Sequence, residues 1–444
     1  MKGKEHDLNE GGENDRMRDL TQTESFLDRM GIPSHLAWGY FGVLIFMMGD
    51  GLELAWISPY LVDQGLTVQQ ASFLTTCYGV TIAISAWLSG VLVEAIGPRK
   101  TMLSGLILYL IGHILFVGLA IPALNYGLMI PTYAIRGFGY PLFAYAFLVW
   151  ITYRTPQHQL GKAVGWFWFV FTGGLSVLGA YYSSFSINFF GHIPTLWTAI
   201  LWVLIGAFFA LVVNKDKFEL PDKKSDNSPK SKELLNGITI VKRKPKVGIA
   251  GFVRVVNQAA QYAFPLFLPI YLADQGVSTT VWLNIWGTIF IANIAFNLIF
   301  GYLGDKIGWR NTVKWFGAFG CGIFTLMLFY LPQVFTGNVF VVATIGFLWG
   351  ACLAGFVPLS ALTPSLVGDG DKGAAMSILN LGAGLCVFVG PALVTLFYDL
   401  VGTQGMMWIL GGLYFIAAIL TSLLKLPEES KKDRSSKDGA QSVV

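Results

Sequence analysis

Gly90-Val91-Leu92-Val93-Glu94-Ala95-Ile96-Gly97-Pro98-Arg99 and Gly301-Tyr302-Leu303-Gly304-Asp305-Lys306-Ile307-Gly308-Trp309-Arg310 share the pattern Gly-x-Leu-x-Asp/Glu-x-x-Gly-x-Arg at a spacing of 211 residues. The same offset carries Tyr60-Leu61-x-Asp63-Gln64-Gly65 onto Tyr271-Leu272-x-Asp274-Gln275-Gly276, and Gly173 and Gly179 onto Gly384 and Gly390. One ungapped register over so much chain marks an internal duplication. The chain is therefore read as two halves of one fold.

Apolar runs surround these motifs. With 54% hydrophobic and 13% charged residues among 444, the chain has too little charge to cover a soluble protein of its length. Apolar runs fall at 37–62, 71–96, 101–121, 126–152, 161–184, 194–213, 247–272, 281–304, 312–332, 337–363, 373–398 and 406–425, each near the ~20 residues that cross a bilayer. The expected fold is an all-α membrane protein, with twelve transmembrane helices in two pseudo-symmetric six-helix bundles. Its parts are an N-terminal tail at 1–36, a first bundle at 37–213, a basic linker at 214–246, a second bundle at 247–425 and a C-terminal tail at 426–444. The polar, mixed-charge opening stretch carries no cleaved signal peptide.

Cations set the expected orientation. Of the 30 Lys and Arg, 28 fall in the tails, the linker and the loops after the second, fourth, eighth and tenth runs. The opposite loops hold none, which puts both termini and the linker in the cytoplasm and the chain in the plasma membrane. The other two cations, Arg136 and Arg254, lie inside spans.

Intramembrane charge is costly and points to function. Asp50 and Glu53 stand three residues apart in the first run, on one face of a continuous helix. Two adjacent carboxylates in a low dielectric do not both ionise easily, so one can load and release a proton. Arg136 is expected at similar depth, as partner to one acid. A static ion pair is the alternative. In the seventh run Arg254, Asn257, Gln258 and Gln261 share a face at i, i+3, i+4 and i+7. Trp286, Asn293 and Asn297 do so in the eighth, and the eleventh adds Asn380. Amides that donate and accept hydrogen bonds suit a hydroxyl-rich solute, although each could instead serve interhelical bonding. His113 reads as a packed structural residue, and Arg154 and Lys162 as topogenic charge. Pro141, Pro265, Pro269 and Pro391 are candidate bends. No nucleotide loop, metal cluster or nucleophile elbow is present, so no cofactor, metal, nucleic acid or enzymatic activity is expected. A monomer suffices.

The duplicated loop resembles the signature loop of the major facilitator superfamily. The resemblance covers the whole chain and implies that Glu94, Arg99, Asp305 and Arg310 latch the cytoplasmic face in one gating state. The first copy departs from the pattern in its Glu94 and Pro98. Three further stretches, Gly49-Asp50-Gly51-x-Glu53-Leu54-Ala55-x-x-Ser58, Ile135-Arg136-Gly137-Phe138-Gly139-Tyr140-Pro141-Leu142-Phe143 and Gly165-Trp166-Phe167-Trp168, resemble bacterial polyol permeases of the ribitol and D-arabinitol type. So do Arg254-x-x-Asn257 and Lys372-Gly373-Ala374-Ala375. Glu53-x-Ala55-x-Ile57-Ser58 is also similar to a motif of sugar–proton symporters. The resemblance implies proton-coupled uptake of a sugar alcohol, with Glu53 as proton carrier, Arg136 as its partner, and Tyr140 and Trp166 among the solute contacts. The competing expectation is symport of a dicarboxylate such as 2-oxoglutarate, clamped by Arg136 and Arg254.

Overall fold

The computed structural model describes residues 26–216, 239–368 and 371–426. Most of the two tails and residues 217–238 of the expected linker lie outside the described residues. Nine helices among the described residues are long and apolar enough to cross a membrane. Three particulars bring this into line with twelve spans. The first span is broken: Ala37–Gly51 and Ile57–Asp63 together form α1. The seventh, Pro245–Asp274 (α7), carries the Arg254–Gln261 polar face and two internal prolines. The last helix, Lys372–Ser422, bends at Gly402, whose φ is +63°, and divides into α11 (372–401) and α12 (403–422). The remaining spans are α2 (Val68–Ile96), α3 (Pro98–Ala120), α4 (Tyr126–Arg154), α5 (Gln159–Phe190), α6 (His192–Val213), α8 (Thr279–Ile307), α9 (Trp309–Val334) and α10 (Val339–Ser365).

The duplication is visible in the backbone. Left-handed glycines recur at the sequence offset: Gly65 with Gly276, Gly97 with Gly308, Gly191 with Gly402. A residue with a Cβ rarely adopts that conformation, so these positions end helices at equivalent points in both bundles. Thr67 and Ser278, also equivalent, cap α2 and α8 with their side-chain oxygens, satisfying amides that a helix start leaves open.

The seam between the bundles is closed at one end and splayed at the other. At the end whose loops hold no Lys or Arg, Ser58 Oγ donates to the Leu266 carbonyl (2.9 Å) and Ser184 Oγ to that of Thr280 (3.0 Å). There also, Gln69 Nε2 donates to the Thr395 carbonyl (3.1 Å), and Tyr181 Oη lies 2.9 Å from Thr288 Oγ1. A Cβ on Gly79 of α2 would stand 2.7 Å from the Val387 carbonyl oxygen of α11, and one on Gly287 of α8 would meet Tyr181 of α5 at 2.6 Å. Further along the same four helices, toward the basic loops, Gly90, Gly165, Gly301 and Gly384 face open space. The same helices thus touch at the cation-free end and part toward the basic one.

Candidate functional site

The sequence placed Asp50 and Glu53 on one continuous helix. Instead α1 leaves regular helix over residues 52–56, directly after Gly49 and Gly51, where a neighbouring helix presses on Gly51. The Leu175 carbonyl oxygen of α5 would lie 2.0 Å from a Cβ on Gly51, so only glycine permits this approach. Carbonyls released by the unwound turn find other donors. Ser183 Oγ bonds the Leu52 carbonyl, and Trp282 Nε1 of the second bundle bonds that of Ala55 at 3.2 Å. Such backbone is tolerated at membrane depth only where protein covers it.

Asp50 and Glu53 nevertheless converge on one cation. Arg136 of α4 reaches the Asp50 carboxylate at 3.1 Å through Nη2, which also donates to the Asp50 carbonyl. Its Nη1 donates to Glu53 Oε1. All three residues are buried, at 4%, 2% and 1% exposure, so none of the three is screened by solvent. Gly112 of α3 lets α4 close in, because a Cβ there would lie 2.4 Å from the Arg136 nitrogen. Three tyrosines from three helices surround the guanidinium: Tyr78, Tyr109 and Tyr133, with ring centroids 5.6, 4.9 and 5.6 Å from Cζ. Desolvated cation–π contacts of this kind contribute up to about 2 kcal/mol each. Tyr78 Oη also donates to Asp50 (3.3 Å), and Tyr109 Oη accepts from Arg136 (3.3 Å). Asp50 is thus held from two sides. Glu53 has one oxygen on Arg136, and Oε2 has no hydrogen-bond partner.

These acids line a cavity of about 30 Å³ with Tyr78, Tyr140, Tyr262 and Pro265, room for water rather than for a solute. Of the expected solute residues, Tyr140 borders it. Gln258 and Gln261 bond each other at 3.4 Å, and Tyr414 holds the Asn257 carbonyl while Asn257 Oδ1 is buried without a partner. Trp286 is buried between Trp282 and Phe290 with its indole nitrogen unpartnered. Asn293 Nδ2 donates to the Gly350 carbonyl of α10 (3.3 Å), Asn297 is half-buried, and Asn380 is exposed. Trp166 donates to the Met30 carbonyl at 3.0 Å, which puts its indole nitrogen on the N-terminal segment. The cavity lining includes none of these residues apart from Tyr140. Arg254 is half-buried in the neighbourhood of Tyr262, Tyr145 and Cys386. No hydrogen bond or ion pair joins its guanidinium to any described residue. It lies two turns from Tyr262, about 12 Å along α7 toward the splayed end.

The duplicated loops face their own bundles. Arg99 donates to the carbonyls of Leu211 (3.3 Å), Asn214 and Asp216 (2.9 Å) where the chain leaves α6, and Asp305 accepts from Trp309 Nε1 at 2.7 Å. Glu94 and Arg310 are both engaged. Arg154, expected only as topogenic charge, is an ion-pair partner. Its Nε (2.8 Å) and Nη2 bond the Asp216 carboxylate, which also accepts from Trp150 Nε1 at 2.8 Å. Burial pushes that carboxyl up, but the Arg154 and Trp150 hydrogen bonds outweigh it and hold Asp216 below the ordinary carboxylate range. His113 is structural as expected, buried with its Nε2 2.9 Å from the Leu196 carbonyl.

The Major Facilitator Superfamily profile matches residues 39–334 and again 250–444. The chain belongs to this superfamily. An alpha-ketoglutarate permease of Bacillus subtilis is 55% identical over 91% of this chain and 92% of its own length. A D-arabinitol transporter of Klebsiella pneumoniae is 36% identical over 92% and 97%. The solved nucleoside transporter NupG shares the fold, with a TM-score of 0.70 at 14% identity over 88% of this chain and 99% of that one. The protein is a multi-pass membrane transporter, and its relatives are transporters, not enzymes.

Proposed function

We propose that this superfamily member is a proton symporter of a small dicarboxylate of the 2-oxoglutarate class, working in the plasma membrane with both termini and the 214–246 linker cytoplasmic. One observation carries the reading. Two buried carboxylates face a single guanidinium, while a second guanidinium, Arg254, has no carboxylate of its own among the described residues. With both acids ionised, the Arg136 cluster holds one negative charge more than it can neutralise in a low-dielectric site. One proton restores balance, and we assign it to Glu53, whose Oε2 is unpartnered and which is among the residues lining the cavity. Protonation then loosens Glu53 from Arg136 and leaves that cation with Asp50 alone.

Arg254 supplies the other half of the argument. A half-buried arginine without a counter-ion still carries part of the desolvation cost of its charge, and a solute carboxylate gripped through two parallel hydrogen bonds would offset it. The 55% identity with an alpha-ketoglutarate permease supports the same class. The polyol reading keeps specific support from the Asn257, Gln258 and Gln261 amides on the Arg254 face and from the 36% identical D-arabinitol transporter. Uptake into liposomes under an imposed pH gradient distinguishes them. Labelled 2-oxoglutarate is expected to accumulate and to be chased by unlabelled 2-oxoglutarate but not by D-arabinitol. Accumulation of D-arabinitol alone would refute the dicarboxylate assignment.

A further inference from the structure

On the first bundle, between α3 and α6, a groove of about 460 Å³ is lined by Leu103, Leu106, Leu204, Phe208 and Val212 and ends at Arg99 and Lys100. Both helices pack against their own bundle rather than the seam, so the groove opens outward. Its walls are exposed apolar side chains, Leu103 at 47%, Leu204 at 44% and Phe208 at 52%, while Leu106 and Ala207 form a buried floor. The apolar part runs about 12 Å along α6 from Leu204 to Val212, and the charge sits only at the end nearer the basic loops.

That end is built. Three backbone carbonyls and the Trp150 ring (5.4 Å) hold the Arg99 guanidinium in place; one of them belongs to Asp216, whose carboxylate is bonded by Arg154 and Trp150 instead. Lys100 follows on the exposed surface. No described carboxylate pairs with either. An apolar trough in the hydrocarbon layer, topped at the level of the basic loops by two cations that pair with no described carboxylate, matches a single kind of molecule. We infer that this groove binds an anionic phospholipid of the leaflet on the basic side, with an acyl chain between α3 and α6 and the headgroup phosphate at Lys100 and Arg99. Each basic residue near an anionic lipid surface contributes about 1 kcal/mol, a fivefold preference. Because Arg99 also fastens the stretch leaving α6, the lipid would brace the point where the linker begins.

The test uses the full chain reconstituted in nanodiscs of equal phosphatidylglycerol and phosphatidylcholine, extracted in detergent, with retained lipid counted by native mass spectrometry. Wild type is expected to retain phosphatidylglycerol at least fivefold over phosphatidylcholine. Lys100→Gln should cut that enrichment about fivefold, and Leu204→Trp, which fills the trough, should reduce retention of phosphatidylglycerol itself. Lys100 is exposed, so its variant does not depend on core packing. Retention in proportion to the mixture, or wild-type phosphatidylglycerol retention in either variant, overturns the inference.

Discussion

Replacing Glu53 by Gln keeps the volume of the side chain and removes only its ability to ionise. In the wild type, Asp50 and Glu53 both reach Arg136, so the ionised cluster carries one excess negative charge and neutralises with one proton. A stoichiometry of one proton per solute follows. In liposomes with the membrane potential clamped at zero, a pH difference of one unit then represents about 1.4 kcal/mol and sustains about tenfold accumulation. Glu53→Gln makes the cluster permanently neutral. Accumulation should fall to a ratio of one, while exchange of labelled for unlabelled solute across the membrane continues, since no net proton movement is needed. Asp50→Asn serves as the contrast. Asp50 is already fixed by Arg136 and Tyr78, so losing its charge should impair exchange as well as accumulation. Tenfold accumulation by Glu53→Gln would refute the assignment of the proton to this residue.

Arg254→Gln should raise the KM for 2-oxoglutarate about 10- to 100-fold, the loss of one charge-assisted hydrogen-bonded contact worth about 1.5–3 kcal/mol, with little change in the amount of protein in the membrane; an unchanged KM would remove it from the solute site. Asp216→Asn should lower the melting temperature at pH 7. A carboxyl held low in the folded state contributes stability above its unfolded pKa and loses it as the pH falls through its folded one, so the gap between wild type and variant should narrow below about pH 4; a gap independent of pH would contradict the ion pair. Gly79→Leu places a side chain against the Val387 and Phe388 backbone, 2.7 and 3.0 Å from its Cβ, where nothing can yield. It should abolish exchange and speed labelling of a cysteine placed at Gln69 by a membrane-impermeant thiol reagent; normal exchange would show that the seam need not close there.

Much of this architecture was legible because bilayer thickness fixes span length and because the duplication repeats its helix-ending glycines. A pairing of Arg136 with one of the two acids was legible for a different reason, since charge in hydrocarbon is rare enough that each instance needs a partner; that it reaches both was not. The unwound turn at 52–56 was not. Gly51 permits it, but the Leu175 backbone that packs against it comes from a helix more than a hundred residues away. Tyr78, Tyr109 and Tyr133 were missed because one tyrosine on each of three helices leaves no periodic trace and passes for ordinary apolar filling. Asn293 and Trp166 show the converse limit. Periodicity or a motif can single out a residue, yet only packing shows that one bonds the Gly350 carbonyl and the other the Met30 carbonyl.

The indole of Trp282 holds the Ala55 carbonyl across the seam, two residues beyond Glu53. If the bundles separate on that face, the tether breaks and the bent segment loses a crossbar contributed by the opposite half of the molecule. A scissor-like swing of whole helices is thereby mechanically geared to one loose peptide turn, and whatever that turn carries feels the swing first.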